Sequence, residues 1–229
     1  MSSGPKAHRS EGLEPSDRQL DDRPSGGRQT SAPAFWDARY AGPDLAFGAG
    51  PNAFVAEQAC RFAPGARVLD LGAGEGRNAV FLARRGCRVT ALDFAPVGLR
   101  RAESWAAAEG LALQTAEADL ATWWPEAAWD GVVCTFVHLL PDERAHLWRA
   151  VRAALRPGGV LVGEWFGPGN PDVGGPGPSA EDRLVSVGEV RRHLAGGALD
   201  VCREVRRTLD EGPFLTGPAS TVQVVFRRD

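Results

Sequence analysis

The sequence predicts an α/β protein built on a doubly wound, mostly parallel seven-stranded sheet, with an antiparallel strand near the C-terminus. Three observations carry that prediction. From about residue 35, short apolar runs alternate with amphipathic stretches of helical period, the pattern of βαβ units. The first strand runs directly into a glycine-dense turn, VLDLGAGEGRN (68–78), as the opening strand of such a sheet does. The last two strands, near 198–207 and at 221–228, are joined by a loop with no helix between them, so at least one should run antiparallel.

Each element follows from its residues. FVAEQACRF (54–62) spaces its apolar side chains for a helix, and Pro64-Gly65 ends it. RVLDL (67–71) is the short apolar run of a strand buried on both faces. RNAVFLARRG (77–86) fits a helix closed by Gly86 at its C-terminal cap. CRVTALD (87–93) is the second strand, and APVGLRRAESWAAAEG (95–110) the next helix, again closed by a glycine. LALQTAEADL (111–120) contains a weaker third strand, and WDGVVCTFVHLL (129–140) a fourth. DERAHLWRAVRAALRPGG (142–159) is the clearest helix, stopped by Pro157 and followed by Gly158-Gly159, and VLVGEWF (160–166) is the fifth strand. GPGNPDVGGPGP (167–178) is a loop, either a spacer or a cover over a site, and a short helix is expected around 187–195.

Residues 1–34 are rich in Ser, Gly, Pro, Arg and Asp and have no apolar core, so they are expected to be a disordered tail and not a secretion signal. Residues 35–229 then form one domain. A net charge of −3 gives no basic footprint for nucleic acid, and no apolar stretch is long enough for a membrane span. Cys60, Cys87, Cys134 and Cys202 are scattered, with no metal spacing, as expected for reduced thiols in a cytoplasmic protein. Nothing calls for an obligate protein partner or a metal.

The glycine turn decides the ligand class. Counted from Gly72, the dinucleotide pattern GxGxxG/A needs a small residue at 77, where Arg77 stands; the third glycine is Gly76. Asp70 before the glycines puts a carboxylate where a pyrophosphate would want none, and no Gly-Lys-Ser/Thr follows to make a P-loop. A ligand with an ammonium and a sulfonium and no phosphate, such as S-adenosylmethionine (SAM), suits the same turn.

The stretch DLGAGEGRN resembles motif I of the class I SAM-dependent methyltransferases, whose fold is Rossmann-like. TALD (90–93), EADL (117–120), WDGVVCTFVHLL and LRPGGVLVGEWF resemble later motifs of that family, in order. FWDARYAGPDLAFGAGPNAFV and EGRNAVFLARRG look like the tellurite-resistance-type and thiopurine-type subgroup; DEGPFLTGPASTVQV fits it only loosely. The resemblance implies a cofactor site of Asp70, Gly72, Gly74 and Gly76, with Asp93 on the ribose hydroxyls beside Phe94. It also places Asp119 at the adenine amino group with Leu120 along the ring. Trp36 and Tyr40 would fold over the methyl end, or else staple the first helix.

The activity implied is methyl transfer from SAM to a small-molecule acceptor, by in-line displacement that needs neither metal nor covalent intermediate. A soft anionic acceptor built on sulfur, selenium or tellurium needs no general base; a hydroxyl or amine does. His138, just past the fourth strand, is the candidate base, or a histidine packed at a strand end. Trp123, Trp124 and Trp129 read as packing at a strand edge in preference to a substrate cage. A non-catalytic SAM-binding regulator and an NAD-type oxidoreductase are the competing readings; Arg77 and Asp70 weigh against the latter.

Overall fold

The computed structural model describes residues 32–178 and 180–229. Residues 1–31, most of the expected tail, lie outside them. The described chain opens with helix α1 (Ala32–Tyr40), which begins inside the segment expected to be tail, and helix α2 (Ala53–Gln58), drawn out by one 3-10 turn. There follow β1 (Arg67–Leu71), α3 (Arg77–Arg84), β2 (Arg88–Asp93), α4 (Pro96–Ala108), β3 (Leu113–Glu117) and β4 (Trp129–Thr135). Then come α5 (Pro141–Ala154), β5 (Leu155–Phe166), α6 (Val187–His193), β6 (Gly197–Asp210) and β7 (Thr216–Arg228).

The strands form one seven-stranded sheet in the order β3-β2-β1-β4-β5-β7-β6. Strands β1 to β5 pair in parallel, and β7 runs antiparallel to both β5 and β6. The sequence therefore predicts the class and the odd strand correctly. Because β1 lies between β2 and β4, the strand order reverses there, and a crevice opens beyond the carboxyl ends of β1 and β4.

Alternation along the central strands feeds two cores. Leu69 and Leu71 face a layer closed by Leu147, Trp148 and Val151 of α5 and Val190 of α6. Val68, Val89 and Val133 face the other layer, closed by Phe54 of α2, Leu82 of α3 and Leu99 of α4. By the same two-residue period Asp70 shares the face of Val68, so its carboxylate is carried into the α3 layer.

Three elements differ from expectation. The β5 strand begins at Leu155, because Leu155 pairs with Trp129 before the register breaks and resumes at Gly131↔Val160; the Pro157-Gly158-Gly159 stretch lies within the strand. Strands β6 and β7 extend towards each other until only residues 211–215 separate them. Pro218 is tolerated in β7 because β5 pairs it only from Thr221 onward, leaving β6 as its one neighbour at that point. The Gly/Pro loop 167–178 is an anchored spacer: Asn170 Nδ2 donates to Pro176 O at 2.9 Å, and the Ser220 amide donates to Asn170 Oδ1 at 3.0 Å.

Candidate active site

A cleft enclosing about 1040 Å³ of empty space, its mouth included, lies at the predicted crevice. It brings together nine of the eleven residues singled out in the sequence: Gly72, Gly74, Asp93, Phe94, Asp119, Leu120, His138, Trp36 and Tyr40. Asp70 and Gly76 stand outside its wall. Asp70 is buried in the α3 layer, where Ala79 donates a backbone hydrogen bond to it, and its Oδ2 has no partner among the described residues. Burial pushes its carboxyl from 3.8 up to about 7, partly opposed by the Arg77 charge. Gly76 is needed for packing: a Cβ there would lie 2.5 Å from Ala102 Cβ of α4.

The glycine loop is laid against the end of β2. The Gly74 amide donates to Asp93 Oδ2 at 2.8 Å, and the Ala95 amide donates to Asp93 Oδ1 at 2.9 Å. Burial raises the Asp93 carboxyl, and the Gly74, Ala95 and Phe94 amides pull it back down. Gly74 takes a left-handed conformation (φ 54°), and a Cβ on it would come within 2.7 Å of the Tyr40 hydroxyl. Asp119 sits exposed at the rim after β3, with Oδ1 accepting from the Ala121 amide at 2.9 Å.

The opposite wall is aromatic and aliphatic. Trp36 stacks on Tyr40 (5.8 Å between ring centroids) and meets Phe47 at 6.1 Å; Phe47, Phe136, Leu139 and Leu215 complete the wall. Burial, with Asp93 and Glu75 nearby, holds the Tyr40 hydroxyl well above its ordinary range. Phe136 has a positive φ of 53°, rare for a bulky side chain, and this kink at the end of β4 turns the chain along the cleft. His138 stacks on Phe166 (5.6 Å, 21° between planes), and its carbonyl accepts from Arg183 at 3.1 Å. Trp123, Trp124 and Trp129 line no part of the cleft.

Beneath the loop lies a buried polar network that sequence patterns do not reveal. Arg77 Nη1 meets Glu211 Oε2 at 2.7 Å, and Arg207 Nη2 bridges Glu211 (2.5 Å) and Glu164 (2.7 Å). Glu164 also accepts from Asn52, Thr221 and Gln223. Asn78 joins the network to the cleft, accepting from the Asn52 amide and donating to Thr135 Oγ1 at 3.1 Å. Two arginines balance two carboxylates, so the Arg77 charge in the wall is already engaged. Glu75 is likewise paired, with Arg101, so Asp93 and Asp119 leave the lining net acidic, which suits a cationic ligand and disfavours a pyrophosphate. The group SAM brings, a sulfonium and an ammonium beside a ribose and a flat base, fits those residues.

The family comparison agrees with this geometry. Residues 68–159, from β1 to the glycines in β5, match the family model described as a methyltransferase domain. This segment is a methyltransferase domain. Its surroundings are shared more loosely. The 2-heptyl-1-hydroxyquinolin-4(1H)-one methyltransferase of Mycobacteroides abscessus is 32% identical over 129 residues, covering 52% of this chain and 56% of that protein. TehB from Haemophilus influenzae superposes with a TM-score of 0.67 at 19% identity, covering 85% of this chain and 66% of that one. A structure concerned with converting a disulfide bond into a thioacetal group during echinomycin biosynthesis superposes at 0.65 with 26% identity, covering 86% and 92%. The chain spans between 36% and 56% of the length of the curated relatives such as these that it matches in sequence. No helix among the described residues is long and apolar enough to cross a membrane.

Proposed function

We propose that the chain transfers a methyl group from SAM to a small, largely apolar acceptor that presents a soft, already ionised atom, with a thiolate the favoured case. The observation that carries this reading is the split character of the cleft, carboxylates and glycines on one side and aromatic rings on the other. On the donor side the Asp93 carboxylate takes three amides, from Gly74, Ala95 and Phe94, which leaves about one of its four or so lone-pair directions for a ribose hydroxyl. On this reading Asp119 holds the base by its amino group and Leu120 by its face, both residues lining the cleft. Gly72 and Gly74 let the backbone come close to the rest of the donor.

SAM supplies an electrophilic methyl on a sulfonium. The acceptor atom forms a bond to that carbon as the carbon–sulfur bond breaks, and the electron pair stays on sulfur as a neutral thioether. The protein's part is to align the two reactants and keep water out, which the Trp36, Phe47, Phe136 and Leu215 wall does. On that wall the titratable groups are Tyr40 and His138. The Tyr40 phenol is held too high to serve as a base near neutral pH, so an acceptor that arrives ionised needs the least from the protein. Arg77 is engaged with Glu211, so a multiply charged oxyanion finds no uncommitted cation in the cleft lining. The structural neighbour associated with thioacetal formation supports chemistry at sulfur.

His138 in the wall favours one second reading, a hydroxyl acceptor deprotonated by that imidazole, and the hydroxyquinolone methyltransferase is a relative in keeping with it. Calorimetry with S-adenosylhomocysteine, then a panel of aryl thiols, phenols and selenite scored by S-adenosylhomocysteine release, separates the readings. Turnover of thiols above phenols is expected. Failure to bind S-adenosylhomocysteine would sink the methyl-transfer reading, and turnover of phenols alone would favour the second.

A further inference from the structure

The aromatic wall and the glycine loop belong to different parts of the chain, yet one arginine fastens them together. Arg101, on α4, donates from Nη1 to the carbonyls of Tyr40 (2.7 Å), Gly42 (2.8 Å) and Asp44 (3.2 Å), and the same nitrogen forms an ion pair, without hydrogen-bond geometry, with Glu75 Oε1 (3.0 Å). Nη2 reaches the carbonyl of Pro43 at 3.4 Å. The guanidinium thus caps the carboxyl end of α1, whose last carbonyls have no partner within the helix, and continues onto the strap that follows. Glu75 closes the circuit from within the glycine loop. Its side chain is 4% exposed, its Oε2 accepts from the Ala46 amide at 2.7 Å, and the Phe47 amide also donates to it.

The strap, residues 41–48, therefore hangs from two points that both lead to the donor side. Asp37 Oδ1 adds a third by accepting from the Val97 amide at the start of α4 (2.9 Å). Tyr40 is wedged between the two elements: a Cβ on Gly98 would come within 2.9 Å of both the Tyr40 ring and the Gly74 carbonyl. Trp36, Phe47 and Gly48, which this assembly carries, line the cleft.

We propose that Arg101 is a positioning residue for the transfer: with Glu75 it locks the acceptor wall of residues 36–48 to the loop that holds the donor, so that donor binding stiffens the acceptor wall. The inference rests on the methyl-transfer reading for the identity of the donor. A surface ion pair between α4 and a loop would stabilise the fold weakly. Here the carboxylate is buried in the cleft wall and the guanidinium serves four backbone carbonyls, so the pair transmits the position of one wall to the other.

The test is amide exchange of the full chain with and without S-adenosylhomocysteine, with affinity measured in parallel by calorimetry. In the wild type, the ligand should slow exchange of the Ala46 and Phe47 amides, at least about tenfold. Arg101→Ala should keep the ligand affinity within about threefold, yet lose that ligand-dependent slowing, and Arg101→Lys should restore part of it. An Arg101→Ala protein whose strap still responds to the ligand like wild type would overturn the inference. So would a fall in affinity and melting temperature with the strap response intact. If the wild type binds no S-adenosylhomocysteine, the methyl-transfer reading fails, and exchange in the free proteins decides the latch: equal strap exchange in wild type and Arg101→Ala overturns it, faster exchange in the variant upholds it.

Discussion

The Arg77 guanidinium and the Glu211 carboxylate meet at 2.7 Å across 134 residues of sequence, with side chains only 9% and 4% exposed. The contact ties the first residue of α3, directly after the glycine loop, to the turn between β6 and β7. Removing one partner of a buried pair leaves the other charge stranded, so Arg77→Met should destabilise the protein by about 3–5 kcal/mol. Adding Glu211→Leu removes the stranded carboxylate while Arg207 keeps Glu164, so the double variant should recover a substantial part of that loss. Urea denaturation of the two single variants and the double closes the cycle; a double variant no more stable than Arg77→Met would show that the pair acts by something other than charge balance.

Asp93 accepts from the Gly74 amide of the loop and lines the cleft. Asp93→Ala should weaken S-adenosylhomocysteine binding by about 1.5–3 kcal/mol, ten- to a hundredfold. Unaltered affinity by calorimetry would mean that ribose is not held here.

The parts of the site legible in the sequence are those fixed by their distance from a strand end. Gly72, Gly74, Asp93, Asp119 and Leu120 all lie at the carboxyl end of β1, β2 or β3 or within three residues after it, and a parallel sheet brings such positions to one edge whatever the rest of the chain does. Phe47 and Leu215 are not legible, because each comes from an irregular segment delivered by tertiary packing, without a period to reveal which way it faces. Glu75 is conspicuous as an acid among glycines, but its partner at Ala46 lies 29 residues upstream and no local pattern announces it. The placement of Asp70 outside the cleft could have been read from the two-residue alternation of RVLDL. The helical form of α1 could not, because APAFWDARY has no strong apolar period of its own, and the contacts that hold it, from Arg101, the Val97 amide and Phe47, come from elsewhere in the chain.

Asp70 sets a pH dependence. Its carboxyl rises from 3.8 to about 7 because burial disfavours the charge. The folded chain therefore holds that proton more tightly than the unfolded chain. Its contribution to stability is full below pH 4, declines as pH rises towards 7, and is lost above that. Asp70→Asn removes the titration, so wild type should lose stability relative to the variant across that window, by at most about 4 kcal/mol. Denaturation midpoints for both proteins from pH 4 to 8 check it, and parallel curves would show that Asp70 does not titrate in this range.

The sharpest test of mechanism falls on His138. Its ring lies against Phe166 and its backbone carbonyl is held by Arg183, an arrangement that fixes the imidazole in the cleft wall. If the acceptor arrives ionised, the ring shapes the pocket and no proton passes through it. His138→Gln keeps much of the volume and hydrogen-bonding capacity but cannot titrate near neutral pH. With a thiol acceptor, kcat should stay within about tenfold of wild type, and its pH profile should follow the ionisation of the thiol and not of a protein group. An obligatory general base would instead lose about a hundredfold or more, with S-adenosylhomocysteine binding intact. The pH profile decides between the two even where the rates are close: a limb that follows the acceptor's own pKa from one thiol to the next belongs to the acceptor, while a limb that stays fixed across thiols and vanishes in His138→Gln belongs to the imidazole.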